Sequence, residues 1–345
     1  MQRGKKLIAL VTTMIILVAA MLTGCSSQSK TQAPAATGEK SVKGAMVNVA
    51  TATTGGVYYP LGNAMAKMWT DKLGVKGSAQ ATAGTPQNIT LLEKKEAEVA
   101  FAQNGVVAVA YRGEGQFKDH ANKDLRAMTY LYPNVMHFIV RKDSGINSIK
   151  DLAGKKIVPG TVGSATEINT KEMIGEYDLD YSSKKNIKAD FVGYNEAADL
   201  MKNKQADAAM IAGGLPTAAI IDMANSFDLK LLSIEPEMIK KITAKYPWYF
   251  EYVIPKNSYK GQTEEIHTLA VANILLVRKD LDDSLVYQLT KAIYENTDQL
   301  VAAHETAKYI KLESALNGMT CPLHPGSEKY YKEKGLDTGK VMKAN

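Results

Sequence analysis

The stretch "VPGTVGSATEINTKEM" (158–173) places two hydroxyls, Ser164 and Thr166, directly after the loop Gly160-Thr161-Val162-Gly163 and at the start of a helix-like pattern. Two kinds of chemistry use such an arrangement. A nucleophilic serine of the hydrolase type needs the tight Gly-x-Ser-x-Gly turn. Ser164 instead stands in Gly-x-x-Gly-Ser-x-x-Glu, which does not support that elbow. A helix start, by contrast, presents free N–H groups and the positive end of a dipole, so a carboxylate or phosphate can lie across Gly163 and its neighbours. Ser164 to Glu167 also fit a capping box, in which the Ser oxygen accepts from the third helical N–H while Glu reaches back. Capping and binding are compatible.

Other polar residues stand in comparable places. In "AGTPQNITLLEKK" (83–95), Thr85 reads as an N-cap with Pro86 at the first helical position. Gln103 and Asn104 end the apolar run of "AFAQNG", where a carboxamide can donate to and accept from a ligand. The alternative is that Asn104-Gly105 closes a turn and Gln103 is solvated. Tyr58 and Tyr59 could wall a ligand or pack against their own lobe, whereas Tyr246, Trp248 and Tyr249 read as hinge packing. The five histidines have no ligand-like spacing and there is no Cys cluster, so neither a metal nor another cofactor is expected.

The elements that must position these residues occur twice. "LLEKKEAEVAFAQNG" (91–105) and "LMKNKQADAAMIAGG" (200–214) align without gaps at an offset of 109, each reading as a helix end, a short buried strand and a Gly loop. Upstream of each copy, "VNVATATTGGVYYPLGNAMAKMW" (47–69) and "KIVPGTVGSATEINTKEMIGEY" (156–177) both run from strand through a Gly and hydroxyl turn into a helix. In the first, Leu61, Met65 and Met68 share one face and read as core. Alternating strands and helices predict parallel sheets, with ligands collecting where loops leave the strands' carboxyl ends. Segments 136–141 and 252–255 are the candidate passages between two lobes; strand 267–281 and helix 282–296 would then return to the first lobe.

The first residues concern address rather than fold. Arg3, Lys5 and Lys6 precede the apolar run Leu7 to Leu22 and then Thr23-Gly24-Cys25, the order of a secretory signal, too short for a membrane-spanning helix. Removing those three basic residues from a formal charge of +6 leaves +3, so no nucleic-acid partner is indicated. "SSQSKTQAPAATGEKSVKG" (26–44) reads as a flexible tether, with the fold beginning near Ala45. With Cys25 modified, only Cys321 remains and no disulfide framework forms. An outside address disfavours ATP chemistry, and no Gly-x-x-x-x-Gly-Lys-Ser/Thr pattern is present. Besides Arg3 there are four arginines, Arg112, Arg126, Arg141 and Arg278, and none lies in the loops above; an anion must therefore be held mainly by N–H groups and hydroxyls.

Leu22-Thr-Gly-Cys25 resembles the bacterial lipobox, which implies lipid attachment at Cys25 and a tether outside the cytoplasmic membrane. Seven stretches in order, "TGGVYYPLGNAMA", "AGTPQNITLL", "AFAQNG", "VPGTVGSATE", "DAAMIAGGLPTAAI", "VIPKNSYKGQ" and "PLHPGSEKYYKEKG", resemble the TAXI family, the solute receptors of tripartite ATP-independent periplasmic (TRAP) transporters. The resemblance implies an α/β, type II periplasmic-binding-protein fold whose two lobes close on a small glutamate-like or dicarboxylate-like acid and deliver it to a TRAP permease. It points to Gly56, Val57, Tyr58, Thr85, Gln103, Gly163, Ser164 and Thr166 as ligand-binding, with Gly213 and Gly214 letting backbone approach the ligand. Val57 stands where the family often has Thr, and Ala165 where Gly is common. The expected organisation is a signal peptide (1–24), a lipid-anchored tether (25–44), lobe 1 (45–141 and 256–345) and lobe 2 (142–255), acting as a monomer without catalysis. The rivals are a receptor for a sensor kinase or an ATP-driven importer, and an extracytoplasmic hydrolase using Ser164.

Overall fold

The computed structural model describes residues 40–182 and 186–343, so the leader and Cys25 lie outside the described residues. The elements run β1 (Met46–Ala50), α1 (Tyr58–Leu73), β2 (Lys76–Gln80), α2 (Thr85–Glu93), β3 (Val99–Gln103), α3 (Asn104–Arg112) and the long β4 (Leu125–Arg141). Then follow β5 (Lys156–Val158), α4 (Ala165–Gly175), β6 (Lys188–Ala189), α5 (Tyr194–Lys202), β7 (Ala208–Gly213), α6 (Ala218–Ser226), β8 (Leu229–Leu232), α7 (Pro236–Lys245) and β9 (Phe250–Ile254). The long β10 (Ile266–Arg278), α8 (Asp283–Glu295), α9 (Thr297–Ala303) and α10 (Pro325–Glu333) complete the chain.

The strand order β2-β1-β3-β10-β4-β7-β5-β6 is symmetric about its centre. On one side β1 pairs in parallel with β2 and β3; on the other β5 pairs in parallel with β6 and β7. Each half ends on a long antiparallel strand, β10 beside β3 and β4 beside β7, and these two strands pair with each other. This is the expected α/β architecture of two lobes, on a mixed sheet in which three strands of each lobe run parallel and the long β4 and β10 run against them. The internal repeat is its cause: β3 and β7 begin at Val99 and Ala208, and the turns before them carry Lys95 and Lys204 at φ 60° and 56°. Both strands are buried along their whole length, which explains why they read as unbroken apolar runs rather than alternating ones.

Two apolar clusters lie in each lobe. In the first, Leu61, Met65, Met68 and Trp69 of α1 pack with Leu289 and Ile293 of α8, as their spacing predicts. In the second, Ile157, Met173, Met210 and Ile242 share one cluster, and Ile211, Ile220 and Met223 another. Val42 joins the first-lobe core and Lys40 pairs with Asp282 at 2.6 Å, so the chain docks on the domain a few residues before Ala45.

The passages between lobes are β4 and β10. Segment 136–141 is the second-lobe portion of β4, pairing with β7 and β8. Segment 252–255 is not a passage: Tyr252 to Ile254 end β9, which pairs with β10 from Phe250 onward. Tyr259, Ile266 and Ala270 still pack with second-lobe residues, and the chain returns only along β10. A β-rich run reads alike as an edge strand or a crossing, because the choice depends on its partner.

Two buried histidines make stability sensitive to acid. His137 lies between the Ile211 carbonyl and the Tyr259 hydroxyl, each at 3.2 Å, and His324 accepts from the Gly326 N–H at 3.1 Å. Burial lowers both to about 4. The unfolded chain therefore binds protons that the folded chain refuses, and each histidine costs about 1.4 kcal/mol per pH unit as pH falls from about 6.5 to about 4. Glu172 opposes them, because burial raises its carboxyl to about 7. The folded state takes up that proton first, so acidification through about 7 to 4.5 favours folding by a similar slope. Two slopes against one leave a net loss of about 2 kcal/mol between pH 6.5 and 4.5, the groups being only half titrated at the ends of that window. Urea unfolding at the two values checks this; equal or greater stability at pH 4.5 contradicts it.

Candidate functional site

Between the lobes lies a cleft whose empty space, open solvent included, is about 520 Å³. Helix starts surround it: Val57 and Tyr58 at α1, Gly84 and Thr85 at α2, Ser164 and Ala165 at α4, Gly193 and Tyr194 at α5, with Gln103 immediately before α3. In a parallel lobe each helix follows a strand and begins at the strand's carboxyl end, which is why so many N-termini meet here. Among the described residues, none that lines the cavity is charged.

Of the residues singled out from sequence, Gly56, Val57, Tyr58, Thr85, Gln103, Ser164, Thr166 and Gly213 line the cavity. Gly163 and Gly214 are not among the lining residues. Gly163 forms the left-handed turn before α4, at φ +68°. At Gly214 an added Cβ would meet the Thr306 methyl at 2.5 Å, so its missing side chain admits a first-lobe residue.

Local details differ from expectation. Ser164 does cap α4, accepting from Glu167 N at 3.1 Å, but the box is incomplete: the Glu167 carboxylate accepts from Tyr181 OH at 2.7 Å instead of reaching back. Thr85 is the first residue of α2 and Gly84, at φ 105°, occupies the cap position. Its hydroxyl accepts from Gln103 N at 3.0 Å and so fixes the end of β3. Asn104-Gly105 begins α3 rather than closing a turn, with Asn104 Oδ1 accepting from Ala272 N of β10. Gln103 is buried, its Oε1 accepting from Asn169 Nδ2 of α4 at 2.6 Å. Tyr58 lines the cavity while its ring packs on Phe101 at 4.9 Å and its hydroxyl donates to Asn273 Oδ1. Tyr246, Trp248 and Tyr249 form one aromatic cluster outside the cavity lining.

Five lining residues escaped the sequence reading, Tyr132, Asn134, Val192, Gly193 and Tyr194, of which the two tyrosines and Asn134 carry polar side chains. Tyr194 ties the second-lobe rim together, its hydroxyl 2.7 Å from Thr166 Oγ1 and donating to the Ala212 carbonyl at 2.8 Å. Thr166 is thereby engaged by Tyr194. The repeat held the signal, since Gly193-Tyr194 matches Gly84-Thr85 at the same offset of 109. Tyr132 and Asn134 lie in the middle of β4, where Tyr-Pro-Asn inside a strand otherwise rich in apolar residues was the available cue.

The hydrogen-bond balance of the site is one-sided. The acceptors of Ser164, Thr85 and Gln103 already receive N–H groups of the protein, and the Thr85 hydroxyl is also hydrogen-bonded to Tyr58, leaving the Ser164 hydroxyl proton and the Gln103 Nε2 group to be donated. Asn88 donates to the carbonyls of Ala50, Thr51 and Phe101 and so covers strand-end acceptors beside the cavity. Together with the helix starts, this gives a neutral but electropositive enclosure.

The lobes touch around it. Besides the Gln103–Asn169 bond, Asn195 Nδ2 donates to Thr54 Oγ1 at 3.3 Å, Ala219 N to the Gly55 carbonyl at 3.4 Å and Thr306 Oγ1 to the Leu215 carbonyl at 3.3 Å.

A profile of the NMT1-like family matches residues 49–335, which include every residue of the cavity lining. The chain belongs to the NMT1-like family. Among solved structures, this NMT1-like chain is similar to a protein from Bordetella bronchiseptica RB50 at 17% identity and a TM-score of 0.52, covering 86% of this chain and 92% of that one. That likeness shows a shared fold. The alkanesulfonate-binding protein SsuA of Xanthomonas axonopodis pv. citri, bound to MOPS, matches at 13% identity and a TM-score of 0.45, over 86% of this chain and 82% of that one. A binding-protein component of an ABC phosphonate transporter from Pseudomonas aeruginosa matches at 12% identity and a TM-score of 0.47, over 78% and 81%.

Proposed function

We propose that this NMT1-like chain is an extracytoplasmic solute receptor whose lobes close on a small organic acid, glutamate-like or dicarboxylate-like. The observation that carries the reading is the supply of donors: several helix starts, the Ser164 hydroxyl and the Gln103 carboxamide face the cavity, while the strand-end carbonyls beside it are bonded to Asn88. A ligand touching both lobes favours the closed arrangement by its differential affinity. The proposed lobes swing about β4 and β10: the chain before β4 and after β10 forms one and the chain between them the other, so the return to the first lobe falls within β10 rather than at residue 256. Delivery to a TRAP permease, from a lipid anchor at Cys25, rests on the seven TAXI-like stretches. A receptor serving an ATP-driven importer or a sensor kinase would use the same cleft, and uptake of the bound acid in cells lacking each candidate partner separates them. Hydrolysis by Ser164 is disfavoured, because among the described residues no His, Asp or Glu lines the cavity to take its proton.

Thermal unfolding with a panel of organic acids tests the reading. A bound acid at about 100 times its dissociation constant adds roughly 2.7 kcal/mol. Ser164→Ala is expected to cost about 1 kcal/mol of stability through the lost cap, and to weaken binding by clearly more than that. Stabilisation by neutral solutes but by no acid contradicts the proposal.

A further inference from the structure

One buried polar group inside the cavity has no partner. Tyr132 is 0% exposed, lines the cavity, and its hydroxyl meets no donor or acceptor of the protein. Its neighbour across the β4–β10 ladder, Asn273, has its oxygen taken by Tyr58 and its Nδ2 likewise without a partner. A buried hydroxyl without a hydrogen bond is costly, so its retention in the wall of a ligand cavity points to a partner that arrives with the ligand.

The rest of the wall limits what that ligand carries. Among the described residues Asp and Glu are absent from the lining, so an ammonium group inside it meets no carboxylate directly. The carbonyls of Ala50, Thr51 and Phe101, which could have received its protons, are covered by Asn88. Asn134 offers a single neutral carboxamide. The nearest carboxylate is that of exposed Glu196, beside Gly193 at the rim, so a cation buried among the positive dipole ends inside finds no charged partner in the lining itself.

We infer that Tyr132 is a specificity-determining residue, and that the cavity selects small carboxylates bearing an oxo, hydroxy or unsubstituted carbon over α-amino acids of the same skeleton. The inference rests on the receptor reading and narrows it: the Tyr132 hydroxyl donates to an acceptor oxygen of the ligand, and the ammonium group is rejected.

Matched pairs test it on the purified protein: 2-oxoglutarate against L-glutamate, succinate against L-aspartate, and 2-oxoisocaproate against L-leucine, each titrated calorimetrically. In every pair that binds, the acid without nitrogen is expected to bind at least about 100-fold more tightly, an unpaired buried charge being costly. Tyr132→Phe is expected to weaken the preferred acid about tenfold or more while leaving the ligand-free melting temperature unchanged or higher, because the variant removes an unpaired hydroxyl. A purely structural tyrosine would instead lower the ligand-free melting temperature and leave affinity alone, which overturns its assigned role. L-glutamate or L-aspartate binding as tightly as its partner acid overturns the ligand class and leaves the receptor reading standing. No binding by either member of any pair overturns both.

Discussion

Gly105→Ala is expected to weaken ligand binding about 100-fold, or about 2.7 kcal/mol, with no loss of folded stability. Gly105 is the second residue of α3 in the first lobe. A Cβ there would stand 2.5 Å from Trp248 Cδ1 and 2.7 Å from its Cγ and Nε1, whereas carbon atoms pack at about 3.5–4.0 Å. Trp248 belongs to the second lobe, packed against its core beside Tyr246 and Tyr249 with ring centroids at 5.6 and 6.4 Å. The added methyl thus acts as a wedge between lobes. Apparent affinity falls in proportion to the fraction still able to close, so a closed population reduced to about 1% gives the stated factor. Within α3 itself alanine is the better helix former, by up to about 1 kcal/mol. The signs for binding and stability therefore oppose each other. Titration and thermal unfolding of the same preparation measure both, and unchanged affinity rejects the wedge.

Trp69→Ala is expected to have the opposite profile, a stability loss of about 3–5 kcal/mol with binding by the surviving folded molecules little changed. Trp69 is 0% exposed on the core face of α1, and its Nε1 donates to the Leu289 carbonyl of α8 at 3.1 Å. The substitution opens a cavity among Leu61, Met65, Leu289 and Ile293 and unties the two helices. It lies some three turns along α1 from Tyr58, where that helix meets the ligand cavity. Denaturant unfolding measures the loss, and a cost below about 1 kcal/mol, the range of a surface change, contradicts this account of the core.

The correspondence between sequence and structure is closest where the cause is local. Helix starts at Ala165 and Asp283 follow from the capping residues Ser164 and Asp282, those at Tyr58 and Thr85 from an early proline, and the apolar stripe of Leu61, Met65 and Met68 from helical period. The repeat foretold matched strands because an unbroken apolar run of six or fewer residues bounded by turns has few other homes. Errors arose where a second segment decides. Glu167 fails to complete its box because Tyr181 competes for its carboxylate. Asn104 enters a helix because β10 supplies an N–H for its side chain.

Taken alone, the sequence determined that two copies of a strand, loop and helix device exist, that arginine is absent from their loops, and that a ligand there must rely on N–H and hydroxyl donors. Only tertiary structure decided that these loops converge on one cavity, that Tyr132 and Tyr194 join them, and which acceptors are occupied. The physical reason is range. Helix caps and burial periods act within a few residues, whereas the bond between Asn169 and Gln103 joins positions 66 apart and the Tyr58–Asn273 contact joins positions 215 apart. Partnerships at such separations are set by how whole strands pair, a matter that no short stretch of the chain encodes by itself.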